Sequence, residues 1–392
     1  MNLLIVSGYW PTQANPISGI FVVQQVAALV RAGCRITLLS GNTLGRPASP
    51  RLLPLELGLP EDRVAMFTYP LIRLPEKLSG WPGGIALNSA AAGIALRRVI
   101  RKLAESHGPF DAAIIHALRY AGFALPAWRH LVRGKVLAVC HGVDPFLEQP
   151  GNIKRSFPLL QKMVGQCEKL VLVGQPLRTH VHSLGLSQEC LAVIPNGTDL
   201  PDRTEVSEGQ RALDIARRIV SVSNLVALKG IDLNLRALAR ISATHPQLKW
   251  EYVIVGEGPL RYELETLSAE LGLTERVRFL GRISYAGTMQ AIAAADIFSL
   301  PSWGEAFGIV YLEAMARMRP VIGCLENGAA DIISDGVDGR LIPPHDEVAL
   351  AQALGCLLSD PEQCRTMGTA GRQTAEQFTW HVNAAKMLEL LR

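Results

Sequence analysis

Short runs of Val, Ile and Leu return at near-regular intervals along this 392-residue chain, and that rhythm limits its fold more than any other feature. In the first half they are residues 3–7 (LLIVS), 36–40 (ITLLS), 112–116 (AAIIH), 135–140 (KVLAVC), 170–174 (LVLVG) and 191–195 (LAVIP). Each is five or six residues long and lacks polar alternation. Each therefore reads as a strand covered on both faces, as in a parallel sheet. The stretches between them carry helical spacing: Val22, Val26, Leu29 and Val30 form one stripe of a helix over 22–32. Strand–helix–strand order specifies a doubly wound α/β sheet.

The rhythm breaks at 199–212 (DLPDRTEVSEGQRA), a polar, charged stretch that reads as a linker. It then restarts at 219–223, 252–255, 277–280, 296–300, 320–323 and 340–342. The expectation is two tandem Rossmann-like domains, residues 1–199 and 200–379, with a helix near 380–392 packing back on the first. Ligands of such sheets sit at the carboxyl ends of the strands, so a cleft between the domains is the expected site.

Composition narrows the class further. With 48% hydrophobic and 19% charged residues, the chain can bury full cores, which excludes disorder as its main state. The net charge of +4 hides an asymmetry: residues 1–200 hold 20 basic and 11 acidic residues, residues 201–392 hold 19 and 24. Two halves of opposite charge suggest different partners. The seven cysteines form no CxxC pair and read as free thiols of a reducing compartment. His180-x-His182 has no further ligand nearby, so no metal site is expected. The opening apolar run is five residues, and no stretch of 18 apolar residues free of charge occurs. A cytoplasmic protein is expected, with contact at the inner membrane face left open.

The most informative segment is 296–323, DIFSLPSWGEAFGIVYLEAMARMRPVIG. A strand ends at Leu300, a loop follows, and a helix is expected to start near Phe307-Gly308. The free N–H groups of residues 306–310 would then form a positive helix end suited to phosphate. Glu305 precedes it, and Glu313 lies roughly 9 Å along the axis from Phe307. By themselves, two such glutamates read as a surface pair around a helix cap. Upstream, Lys229-Gly230 ends the loop after the first strand of the second domain, where a lysine can neutralise a diphosphate; by itself it reads as a turn. Gly256-x-Gly-Pro lacks the third glycine of a dinucleotide fingerprint, which disfavours a nicotinamide dehydrogenase. In the first half, Pro16-Ile-Ser-Gly19 is a flexible loop before a helix, and Gly19 would let the backbone approach a ligand. His141, heading His141-Gly142-Val143-Asp144, places an imidazole at the end of a buried strand, as a functional group or a structural cap.

Taken in order, these motifs resemble the family 4 glycosyltransferases, which have the GT-B fold and retain anomeric configuration. The resemblance runs from residue 3 to about 382. It includes Ile194-Pro-Asn-Gly-Thr-Asp199, Phe279-Leu-Gly-Arg282, the Glu305-x7-Glu313 pair and DIISDGVDGRLIPP at 331–344. It implies that the C-terminal domain holds a nucleotide-diphosphate sugar, a UDP-sugar before a GDP-sugar, and the N-terminal domain the acceptor. It assigns Lys229 to the diphosphate, Glu313 to the ribose hydroxyls, and Glu305 with the backbone of Ala306, Phe307, Gly308 and Ile309 to the sugar and β-phosphate. Arg282 falls where the family meets the base, Gly19 where the first-domain loop meets the diphosphate, and His141 beside the sugar. No cofactor or metal is implied.

Three departures stand out. Asn224 occupies the place of an arginine, the N-terminal Gly-Gly is Ser18-Gly19, and the Gly-Gly-x-Pro-Glu segment is Asn327-Gly-Ala-Ala-Asp331. The implied partners are a nucleotide sugar and a glycan or polyprenyl-lipid-linked acceptor, as in bacterial surface-polysaccharide or glycolipid assembly. Residues 92–103 (AGIALRRVIRKL) set Arg97, Arg98, Arg101 and Lys102 beside Ile94, Leu96, Val99 and Ile100, either as a helix for an anionic membrane or as a helix packed on the sheet. Basic residues without interleaved aromatics argue against nucleic acid. Two rivals remain at this level: a nucleotide-sugar epimerase on the same fold, and a non-catalytic nucleotide-sugar-binding scaffold.

Overall fold

The computed structural model describes residues 1–43, 49–71, 84–116, 118–142, 150–202 and 216–392. Residues 203–212 of the expected linker, and Val143 and Asp144 after His141, lie outside the described residues. The chain divides into two compact units: Met1–Pro195 with Trp380–Arg392, and Asn196–Thr379.

Unit 1 contains the parallel strands β1 (Asn2–Ser7), β2 (Arg35–Thr43), β3 (Val64–Leu71), β4 (Ala112–His116), β5 (Val136–Cys140), β6 (Lys169–Leu172) and β7 (Leu191–Val193). Their order is β3-β2-β1-β4-β5-β6-β7. The central strands are apolar on both faces, with Leu3, Leu4, Ile5 and Val6 fully buried, because helices cover both sides of the sheet. The aliphatic rhythm does not announce β3. Its sequence, VAMFTYPL, carries Thr68 and Pro70 and is only partly buried, which an edge strand tolerates.

Unit 2 contains β8 (Arg217–Val222), β9 (Trp250–Val255), β10 (Val277–Gly281), β11 (Ile297–Ser299), β12 (Val321–Cys324) and β13 (Gly339–Ile342), ordered β10-β9-β8-β11-β12-β13. All six aliphatic runs expected in this half fall on these strands. Both sheets have the Rossmann order, which changes direction between β1 and β4 in unit 1 and between β8 and β11 in unit 2. At such a switch point the loops leave to opposite sides, and their carboxyl ends open a crevice.

The Trp380–Leu391 helix returns to unit 1 and packs on the Ile20–Arg31 helix. Gln25 Nε2 donates to Asn383 Oδ1 at 2.7 Å, and Asn383 Nδ2 donates to the Pro195 carbonyl at 2.7 Å. In the basic Gly84–His107 helix, Leu96, Ile100 and Leu103 face the core, while Arg97, Arg98, Arg101 and Lys102 are exposed. Of the apolar neighbours expected beside these cations, only Ile94 points outward, at 59% exposure, together with Leu87 one face-repeat earlier at 55%. Among the described residues, no helix is long and apolar enough to cross a membrane.

Candidate active site

In unit 2, Asn224, Lys229, Gly256, Arg282, Glu305 and Asn327 lie on loops that leave the carboxyl ends of β8 to β12. Two of these loops flank the switch point. After β8 the chain makes a 3₁₀ turn over Ala227–Lys229, then Gly230 takes a left-handed conformation (φ 65°) to start the Ile231–Thr244 helix. A Cβ on Gly230 would lie 2.5 Å from the Pro301 carbonyl oxygen, so glycine is what lets the β8 and β11 loops touch. The Leu228 carbonyl accepts from Ser302 Oγ and the Trp303 N–H, both at 3.0 Å. Beneath them Asn234 Nδ2 donates to Ser221 Oγ, Tyr252 Oη and the Ser299 carbonyl, while Ser299 Oγ donates back to Asn234 Oδ1. This buried network ties β8, β9 and β11 to the helix that carries the lysine loop.

The result is an ion pair: Lys229 Nζ lies 2.5 Å from Glu305 Oε1, with the side chains 18% and 13% exposed. The expected cation is therefore not free but half-engaged. An ammonium has three N–H donors, and Glu305 occupies one.

The helix after Glu305 starts later than expected. Gly308 (φ 92°) precedes it, and it spans only Ile309–Met315. The N–H groups of Ala306 and Phe307 belong to the loop, where Phe307 is 2% exposed and its ring lies 6.0 Å from that of Phe378. Seven residues align few peptide dipoles, so Lys229 is the dominant positive group beside Glu305. Glu313 lies within this helix and is 8% exposed, so neither glutamate is a surface residue. Tyr285 Oη donates to Glu313 Oε1 at 2.9 Å. Burial lifts the Glu313 carboxyl up to about 7, with Tyr285 and Arg317 pulling the other way. Asn327 braces the loop after β12: its Nδ2 donates to the Ser302 carbonyl at 2.8 Å and its Oδ1 accepts from the Ala329 N–H. The Gly328 N–H donates to the Glu305 carbonyl at 2.9 Å. Arg282 and Asn224 are exposed.

In unit 1 the switch point gathers a different set. His116 ends β4 and His141 follows β5, with His116 Nδ1 2.9 Å from His141 Nε2 and the rings stacked at 5.1 Å. Phe21 and Tyr9 close around His141 at 4.4 and 5.8 Å between ring centroids. Gly19 makes this possible: it is left-handed (φ 74°), and a Cβ there would meet the Tyr9 carbonyl carbon at 2.6 Å. Its close approach is thus to the chain's own backbone at Tyr9–Trp10. Burial pushes His116 down to about 3 and His141 well below its ordinary value, so both rings are neutral at neutral pH. Among the described residues no three His, Cys, Asp or Glu side chains gather as metal ligands.

The sequence reading passed over His116, Tyr285 and Asn234. His116 had a usable signal, since it ends a buried strand as His141 does. Tyr285 and Asn234 lie on helices with no motif around them.

Residues 202–374 match the model of the Glycosyl transferases group 1 family, and residues 18–201 match Glycosyltransferase Family 4. A D-inositol 3-phosphate glycosyltransferase of Corynebacterium aurimucosum is 30% identical over 99% of this chain and 94% of its own. A GDP-mannose-dependent monoacylated alpha-(1-6)-phosphatidylinositol monomannoside mannosyltransferase of Corynebacterium glutamicum is 28% identical over 80% of this chain and 83% of its own. In other D-inositol 3-phosphate glycosyltransferases the match spans about half the relative's length, 53% and 51%. The Anabaena protein Alr3699/HepE, solved in complex with UDP, superposes with a TM-score of 0.72 over 100% of this chain and 99% of its own. At 21% identity that likeness speaks for the fold alone.

Proposed function

Because the chain belongs to the group 1, family 4 glycosyltransferases, we propose that it moves a sugar from a nucleotide-diphosphate sugar to a hydroxyl of a glycan or lipid-linked acceptor, with retention of configuration. The observation that carries this reading is the Lys229–Glu305 pair at the switch point of unit 2, with Glu313 buried in the helix that follows. Lys229 offers its remaining donors to the diphosphate, and the N–H groups of Ala306 to Ile309 add weaker ones. Glu305 accepts from hydroxyls of the transferred sugar and Glu313 from those of the ribose. Arg282 and Asn224 rim the same edge. In unit 1 the reading rests on His141 and the Gly19 loop. A UDP-sugar is the favoured donor and a GDP-sugar the alternative. The Anabaena neighbour binds UDP, and the C. glutamicum relative uses GDP-mannose.

The bond from the anomeric carbon to the diphosphate oxygen breaks as the acceptor oxygen attacks from the same face. The acceptor's proton passes to the departing phosphate oxygen. Positive charge develops on the sugar and negative charge on the leaving group, so catalysis is mainly electrostatic stabilisation and positioning. Lys229 supplies the stabilisation without a metal.

The test is a panel of UDP- and GDP-sugars with and without a polyprenyl-phosphate-linked glycan, read by NMR of the product. Acceptor-dependent release of nucleoside diphosphate, unaffected by EDTA, with the donor's anomeric configuration kept is expected. Epimerised donor in the absence of acceptor, or an inverted product, would overturn the reading.

The reading extends to peripheral attachment at the inner membrane face. Leu87, Ile94, Arg98 and Arg101 repeat at helical spacing along the outer face of the Gly84–His107 helix, all exposed. Apolar residues followed by cations suit an anionic bilayer surface. Vesicles containing phosphatidylglycerol should retain the protein at low salt, and a triple Arg97→Glu, Arg98→Glu, Arg101→Glu variant should lose most of that retention. Equal retention of both proteins would contradict the assignment.

A further inference from the structure

We propose that a cavity in unit 2, walled by Trp303 and Tyr262, binds the non-reacting sugars of a glycan acceptor. This deepens the transferase reading and rests on it for the role of acceptor, but not for the binding of glycan itself.

The cavity has a volume of about 450 Å³, within the ordinary range of small-ligand sites. Helical spacing builds two of its walls. On the Arg261–Glu270 helix, Glu263, Leu267 and Glu270 fall on one face, with Tyr262 beside them. On the Ile231–Thr244 helix, Asp232 and Arg236 lie one turn apart. Ala227 and Trp303 close the cavity from the loops after β8 and β11.

This lining is both aromatic and charged. Tyr262 is 77% exposed, so its ring is not part of the core. Trp303 is held by His345, with ring centroids 4.0 Å apart. Among the described residues, no hydrogen bond or ion pair engages the side chains of Asp232, Arg236, Glu263 or Glu270. Asp232 and Arg236 do not pair even though opposite charges at their spacing usually meet.

These groups select the ligand. Three carboxylates against one guanidinium repel a phosphate or an anionic headgroup. A wholly apolar occupant would strip water from four charged groups and offer them no partner. Among the described residues the carboxylates do not converge as a metal site requires. A sugar suits both kinds of wall. Its C–H face covers an aromatic ring, while its hydroxyls donate to carboxylates and accept from a guanidinium.

Position ties the cavity to transfer. Ala227 stands two residues before Lys229, and Trp303 two before Glu305. The Trp303 N–H donates to the Leu228 carbonyl at 3.0 Å. The loops that wall the cavity are therefore the loops that carry the Lys229–Glu305 pair. A glycan seated here lies beside the pair without occupying it, as sugars that do not react should. Acceptors of several sugars should then be used better than acceptors of one.

The test is saturation-transfer NMR of the full chain with three linear trisaccharides, of α-1,4-glucose, α-1,6-mannose and β-1,4-N-acetylglucosamine. At least one is expected to bind, and to stay bound when UDP and GDP are added to saturation. Tyr262→Ala should weaken that binding about five- to tenfold, and Tyr262→Trp should hold it within about twofold. The exposure of Tyr262 lets both variants fold. In turnover with the donor found active, Tyr262→Ala should raise KM about five- to tenfold for an acceptor bearing three sugars. Its kcat, its KM for the donor and its KM for a single-sugar acceptor should stay within about twofold. Failure of all three trisaccharides to bind, or equal binding by wild type and Tyr262→Ala, would overturn the proposal. Displacement by UDP or GDP would put the glycan in the donor site and also overturn it. So would a lysine-rich peptide that binds where the trisaccharides do not, or equal KM changes for the two acceptors. The NMR needs no turnover, so a lack of transferase activity would leave the glycan site standing while removing its role.

Discussion

Lys229→Ala is expected to lower kcat/KM about a thousandfold while the melting temperature of the protein moves by only a few degrees. The size of the loss follows from two changes at one point. The variant removes the main cation beside the leaving diphosphate, and removing one preorganised donor to developing charge commonly costs about 3–4 kcal/mol. It also leaves Glu305, formerly 2.5 Å from the ammonium, as an unopposed carboxylate facing incoming phosphate. The second contribution makes the pair non-additive. Glu305→Gln alone should lose sugar binding and activity, yet adding it to Lys229→Ala should cost little more, because it removes the repulsion that Lys229→Ala created. A double-mutant cycle on kcat/KM measures this coupling directly. Wild-type kcat/KM in Lys229→Ala would end the assignment of this residue to the diphosphate. The fold should survive because the pair is partly solvated and the loops are held by other bonds, among them those from Ser302 and Trp303 to Leu228.

Glu313→Gln should separate stability from binding. Burial raises the folded carboxyl from an ordinary 4.5 up to about 7. Below pH 4.5 the group is protonated in both states and favours neither. Between 4.5 and 7 the folded protein holds a proton that the unfolded chain has lost, so stability falls as pH rises. Above 7 the full penalty applies, about 3 kcal/mol. Glutamine imitates the protonated acid without that penalty. At pH 8 the variant should therefore unfold roughly 6–10 °C above wild type in the transition that reports unit 2, and at pH 4.5 the two should coincide. Binding should run the other way. Wild type should bind the donor more tightly as pH rises through 7, because the carboxylate accepts from two hydroxyls, whereas the variant's affinity should be flat and about 10- to 100-fold weaker at pH 8. Calorimetric melts and donor titrations across pH measure both effects. Parallel pH profiles for the two proteins would count against Glu313 as the buried acid that holds the ribose.

The backbone architecture was the more legible part of the sequence. Buried parallel strands are rich in aliphatic residues, and 12 of the 13 strands among the described residues contain such a run. β3 escapes because an edge strand can afford Thr68 and Pro70. Most site residues were legible one at a time, since they stand on loops after strands, with Glu313 inside its helix the exception. Their partnerships were not. Lys229 and Glu305 are 76 positions apart and meet only because β8 and β11 are neighbours in the sheet order. The late start of the helix at Ile309 was hidden by a segment whose apolar spacing continues back through Phe307, while Gly308 breaks its backbone. His116 was absorbed into its strand, and its meaning depends on a ring 25 residues away. Tyr285 and Asn234 act through buried hydrogen bonds that no local pattern records.

The return of the Trp380–Leu391 helix to unit 1 reorders how the protein can be made. Unit 2 is one contiguous stretch, Asn196–Thr379, and leaves the ribosome whole. Unit 1 emerges first but stays incomplete, with the face of its Ile20–Arg31 helix and the Asn383 partners Gln25 and Pro195 uncovered. At about 5–20 residues per second, that gap lasts on the order of ten to forty seconds while unit 2 is synthesised. The first unit begun is thus the second finished. A chain halted anywhere within unit 2 leaves unit 1 with an open apolar flank, which is what quality-control machinery recognises.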